Sequence, residues 1–259
     1  MQYSPLVTDA GLAIASSGRQ VKGAGGGGFS SGFVGFGPWG QVTLSHGEVS
    51  GSLELGLVSY AVSRLDVNDP LPSTGRTTLD GGTTITARLA AGYRHSFGDA
   101  GEGPALGARL GLFFEQHSAS NDLQNPLTNQ PEGLFPSQTI AGLEARVEGE
   151  LPVGNAGNGP LVLRAMLGAI PVSQWTESPS GSTGTSPTAD VAPEWAAGVL
   201  WAATDRWKVS LDYRGEIRTA SFSGPMTAGT NGNSLNPPVT NAKVTETLNS
   251  AFLSIRRSF

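Results

Sequence analysis

At 259 residues and 26.6 kDa, the chain suits one all-β domain, 1–259, without division. Its formal charge of -5 offers no basic surface to nucleic acid, and its lack of cysteine removes disulfides and thiolate metal sites. No run of about 18 apolar residues occurs, so a helical membrane span is excluded.

Met1 to Pro5 carries neither a basic nor an apolar leader region, which fits a mature exported chain. The first strand is expected within 5–17, where alternation is weakest. Gly23 to Gly28 follows; it lacks Gly-Lys-Ser/Thr and is expected as a flexible external loop. A strand over 33–45 runs into the short turn His46-Gly47-Glu48, and 48–65 leaves it. Strands at 77–97, 104–117, 137–153, 160–176, 190–203, 206–222 and 243–259 complete the series. Short connectors (Gly98 to Gly103, Gly154 to Gly159, Thr204-Asp205) take turns with long ones (Asp66 to Arg76, Ser118 to Pro136, Glu177 to Asp190, Ser223 to Ala242). The long ones are rich in Pro, Ser, Thr, Asn and Gly. The pattern predicts an antiparallel up-and-down barrel of about ten strands, with eight and twelve as alternatives.

Residues 206–222 show the alternation most clearly. Trp207, Val209, Leu211, Tyr213, Gly215 and Ile217 fall on one face; Arg206, Lys208, Ser210, Asp212, Arg214, Glu216 and Arg218 fall on the other. Alternation alone does not say which face points out, since a soluble barrel would bury the apolar set. Strand length favours lipid: soluble strands average about five or six residues, and membrane strands need about 9–11. Aromatic placement favours it too. Phe97, Trp207 and Phe259 lie beside short turns or the chain end, and Phe114 and Trp195 lie about ten positions away. Ten positions rise roughly 23 Å along a tilted strand, close to the height of a lipid-facing band. Amphipathic rings collect at both edges of such a band.

Ala251, Leu253, Ile255 and Phe259 share one parity. This ending resembles the carboxy-terminal signature of bacterial outer-membrane β-barrel proteins, although Arg257 interrupts the row. The resemblance implies residence in outer-membrane lipid, both termini in the periplasm, and recognition of the last strand by the outer-membrane assembly machinery. It names no narrower family.

With Leu53, Leu55, Ile85, Leu89, Leu110, Leu112, Leu143, Val147, Leu163 and Leu167 outward, the opposite set lines the lumen. That set brings Glu54, Arg88, Arg94, Arg109, Glu115, Glu144, Arg146, Glu148, Glu150 and Arg164 inward. It also brings Lys208, Asp212, Arg214, Glu216, Arg218 and Arg256, joined by Arg64, Glu194 and Glu246. Acids dominate 137–153 and bases 206–222; the two are not sequence neighbours, so any pairing between them would cross the interior. Arginines and glutamates in a lumen of about ten strands should interlock and plug it.

The functional expectation is a non-catalytic anchoring, adhesion or envelope-complex protein acting on an envelope partner through its loops and rim. A small pore for water, ions or solutes is the alternative. An enzyme comes third: omptin-type proteases are ten-stranded membrane barrels, and such a site needs carboxylates and a His at the outer rim. Only His46, His95 and His117 are present, and His117, with Glu115 on its face, is expected as a solvated rim residue. Asp66, Asn68 and Asp69 depart from the EF-hand spacing, so neither metal nor cofactor is implied. Pro171 and Pro193 remove ladder donors near the outer ends of facing strands, where that hairpin should loosen or bulge.

Overall fold

The computed structural model describes residues 6–67, 80–97, 103–118, 136–156, 159–178, 183–204, 206–226 and 239–259. The chain forms strands β1 (Leu6–Lys22), β2 (Gly28–His46), β3 (Val49–Val67), β4 (Asp80–Ser96), β5 (Ala105–Ser118) and β6 (Ser137–Ala156). Then come β7 (Gly159–Ser178), β8 (Thr185–Ala189), β9 (Val191–Ala202), β10 (Trp207–Ser223) and β11 (Lys243–Ser258). β1 to β7 pair antiparallel in sequence order, β7 pairs with β9, β9 with β10 and β10 with β11, and β11 returns to β1 from Val7↔Ser258 to Lys22↔Lys243. Ten strands therefore close the barrel. The eleventh, β8, continues the line of β9 along β10.

The open question of orientation is answered by exposure. Leu110 and Leu167 are each 71% exposed, and the other leucines assigned outward lie on the same outer surface. The lumen face holds the charges: Arg218 is 1% exposed, Glu144 and Glu194 2% each. A belt rich in exposed leucine, valine, isoleucine and phenylalanine outside, over a charged interior, is the inverse of a soluble barrel.

Where the sequence alternated poorly, β1 is longer than expected. Its lumen side carries Ala13 and Ala15 among Asp9, Arg19 and Val21, so both faces look apolar in its middle although only Leu12 and Ile14 face lipid. The glycine-rich segment, expected as a flexible external loop, is a tight hydrogen-bonded turn at the long-loop end. Gly23 N–H donates to the Gly27 carbonyl at 2.7 Å, and Ala24 N–H to the Thr240 carbonyl at 2.9 Å. At the opposite end, Gly47 takes a φ of 61°, which the two-residue link between His46 and Val49 requires.

Phe97, Phe114, Trp207 and Phe259 are exposed on the outer surface, which carries two local aromatic devices. Trp195 is half-buried because its indole lies across Gly215, its cross-strand partner on β10. A Cβ at Gly215 would strike the Trp195 ring. Gly215→Ala is expected to swing this indole into lipid and cost about 1 kcal/mol, seen as a lower melting temperature and a changed tryptophan emission. Arg257, the break in the terminal apolar row, stacks its guanidinium on Phe259 (4.4 Å) and on Trp207 (5.1 Å). It therefore belongs to the girdle.

Candidate functional site

The inward side chains form three layers. The first, at the short-turn end, surrounds a cavity of about 1050 Å³ that reaches the mouth at Glu48, Thr204 and Arg206. Adjacent and next-but-one strands place acid beside base: Arg109 donates to Glu148 (2.7 Å) and Arg256 to Asp9 (2.8 Å) on neighbouring strands, while Arg94 donates to Glu150 (2.6 Å) and Arg164 pairs with Asp212 across one intervening strand. Lys208 also lines this cavity, and no carboxylate lies within ion-pair distance of it among the described residues. Trp39 and Phe252 face each other across the wall with ring centroids 5.3 Å apart. At the mouth, the Tyr93 hydroxyl and then the His95 ring hold the exposed Glu48 carboxyl below its ordinary range.

The second layer crosses the barrel at mid-height. Arg88 reaches Glu194 (2.7 Å), Glu144 (3.0 Å), Glu216 (3.4 Å) and Glu54 (3.8 Å) from four different strands. Arg214 grips Glu54 with two bonds of 2.7 and 3.1 Å, and Arg218 grips Glu115 with two of 2.5 and 3.0 Å. Arg218 also pairs with Glu216, and Arg146 with Glu144 at 2.8 Å. Phe113 is sandwiched between Arg88 (4.9 Å) and Arg218 (5.0 Å). Paired forks of this kind fix geometry as well as charge. One carboxylate more than the guanidiniums is present, and Glu194 Oε1 makes no hydrogen bond.

The acid-rich and base-rich segments each find partners elsewhere. The acids of β6 meet Arg88, Arg94, Arg109 and Arg146, while Arg214 and Arg218 of β10 reach β3 and β5. Barrel curvature decides which strands face one another at each height, and sequence position does not.

The third layer, at the long-loop end, is one that the sequence reading missed. Phe33, Phe113, Ile140, Ile170, Trp175, Phe222, Val21 and Val244 all turn inward and pack together. Met226 and Val239 join them from the stem of the β10–β11 connection, where Met226 N–H donates to the Val239 carbonyl at 2.9 Å. Parity carried the signal, since Phe113 shares the face of Glu115 and Ile140 that of Glu144. Beside this plug, Arg19 contacts Glu246 (3.3 Å) and Glu177 (3.5 Å). His117 is half-buried rather than a free rim residue: its Nδ1 lies 2.8 Å from the Thr84 hydroxyl, and its ring meets Phe33 and Tyr60 edge-on. The neighbouring space is only about 50 Å³. The weighed calcium ligands have no described side chains, and Asn68 and Asp69 lie outside the described residues altogether, as do the centres of the long connectors.

No protein-family model matches this chain, and no curated protein does. Solved structures do. The outer membrane protease OmpT from Escherichia coli superposes with a TM-score of 0.57 at 11% identity, covering 100% of this chain and 99% of that one. The P. putida toluene transporter TodX (TM-score 0.37, 9% identity, 100% and 91% covered) is a more distant likeness. So is the translocator domain of the autotransporter NalP from Neisseria meningitidis (0.38, 14%, 96% and 88%). At such identities the likeness concerns architecture. A closed ten-stranded wall, an apolar outer belt and end-to-end superposition on OmpT agree: this chain has the closed antiparallel β-barrel fold of that outer-membrane protein.

Proposed function

We propose that the protein is a non-conducting, non-catalytic barrel of the outer membrane that serves as an anchor, adhesin or envelope-complex component through its rim and long connectors. Both termini then face the periplasm, with the assembly machinery reading β11. The observation that carries this reading is the double closure of the lumen by the buried Arg88 layer and the apolar plug above it. Water and ions crossing such a path would have to break fully desolvated ion pairs and then enter hydrocarbon-like packing. His117, held by Thr84 and two rings, is committed to structure, which supports a non-catalytic role.

The cavity at the short-turn end favours the pore reading, because half of a path is already open. Planar-bilayer recording decides between them. The expected trace is silent; steady conductance of roughly tens of picosiemens would sink the plugged barrel. For the interaction role, deletion of 228–237 should abolish capture of an envelope partner. That deletion spares Met226 and Val239, so the plug stays intact. Retention of every partner after each long connector is shortened would remove the interaction reading.

A further inference from the structure

An acidic chain has gathered positive charge in its one large described cavity. The overall charge is -5, yet the wall of the short-turn cavity presents eight arginines and lysines against six carboxylates. Most of these neutralise one another, directly or through the deeper Glu144. Left over are Lys208 and Arg206 at the foot of β10 and, at the mouth, Glu48, which the Tyr93 hydroxyl and the His95 ring already hold, so one positive charge is in excess. Lys208 stands opposite Arg256 on β11, and Arg256 and Arg94 act on it along with Glu150 and Asp9. A cleft with low-dielectric walls focuses such an excess toward its mouth.

The side next to these cations is apolar both below and above the Arg164–Asp212 pair that crosses it at Gly198. Across the ladder from Lys208 stands Ala202, and Leu200, Ala196 and Met166 continue the lining upward along β9 and β7. A charged foot beside an apolar wall, in a space of about 1050 Å³, matches the small-molecule pockets of about 300–1,000 Å³ that bind one polar group and bury an apolar body.

We propose that this cavity is a binding site for a small amphipathic anion, entering from the short-turn end, with its carboxylate or phosphate held by Lys208 and Arg206 and its apolar body laid on Met166 and Leu200. A fixed ion-pair frame around it keeps the site open. Arg94, Arg164 and Arg256 are already held by their carboxylates and cannot fold over the entrance. The proposal is independent of the role given to the rim and loops, and silence in the conductance test leaves it standing.

Titration calorimetry of the full chain in neutral detergent tests it, with benzoate, phenyl phosphate, inorganic phosphate and uncharged benzyl alcohol as probes. Benzoate or phenyl phosphate should bind, the tighter of the two naming the head group, and benzyl alcohol should not. Lys208→Gln should weaken the bound anion by about tenfold, and Arg206→Gln, an exposed change that threatens no packing, by a smaller factor. Met166→Gln should lower affinity for phenyl phosphate but not for inorganic phosphate, whereas Lys243→Gln at the far end should change nothing. Equal affinity for benzyl alcohol, unchanged binding in both Lys208→Gln and Arg206→Gln, or no heat from either aromatic anion up to about 10 mM would overturn the assignment.

Discussion

Arg88→Ala is expected to cost about 3–5 kcal/mol of folding free energy. One guanidinium is shared among Glu54, Glu144, Glu194 and Glu216, all with side chains no more than 5% exposed. Removing it leaves those carboxylates crowded at low dielectric and opens a gap beneath Phe113, whose ring it covers. Arg88→Lys should recover little, because an ammonium cannot present the planar fork that several acids share. The informative contrast is Glu194→Gln. The layer already holds an excess acid, and Glu194 Oε1 has no partner, so this change should stay within about 1 kcal/mol of the parent. Urea unfolding in lipid vesicles measures both. Equal losses for Arg88→Ala and Glu194→Gln would mean that the layer is not organised around Arg88.

Leu110→Arg is the second large effect, expected at about 2–4 kcal/mol. Leu110 sits near the middle of the outer belt and is 71% exposed. Leu106, four residues lower on the same face of β5, lies at the short-turn edge. There a long side chain can reach water, and the same substitution should cost about 1 kcal/mol or less. The depth dependence is the signature. Identical costs at both positions, or a chain that stays folded and monomeric without detergent, would show that the belt touches water rather than lipid.

Strand count and orientation were legible because a two-residue period survives along nearly every strand. Leu53, Leu110 and Leu167 could share a face in only one way once the aromatic spacing set the membrane height. The lumen was half legible. Charged residues announce an inward face by contrast with their neighbours, but Ile140, Ile170 and Phe222 look like any lipid-facing residue until parity is counted from the nearest charge. Partner choice was beyond reach: that Arg214 selects Glu54 rather than an acid of β6 depends on barrel radius and shear, which no local pattern encodes. His117 misled for a similar reason, since Phe33 and Tyr60 approach it from strands far away in sequence.

The two prolines anticipated as a weak point mark a discontinuity in the wall. The ladder between β7 and β9 ends at Pro171↔Val191, and above it β8 pairs along β10. The upper reach of β7 keeps its partnership with β6, through a register shift at Ala141/Gly142. Among the described residues no ladder joins β7 to β8 at that height, and closure rests on Trp175 against Phe222 and on the Glu177 carboxylate, which accepts from the Thr183 N–H and hydroxyl. A stave joined by its stuffing instead of its hoop is the place where this cask parts sideways most cheaply, and an acyl chain in the adjoining leaflet would meet it first.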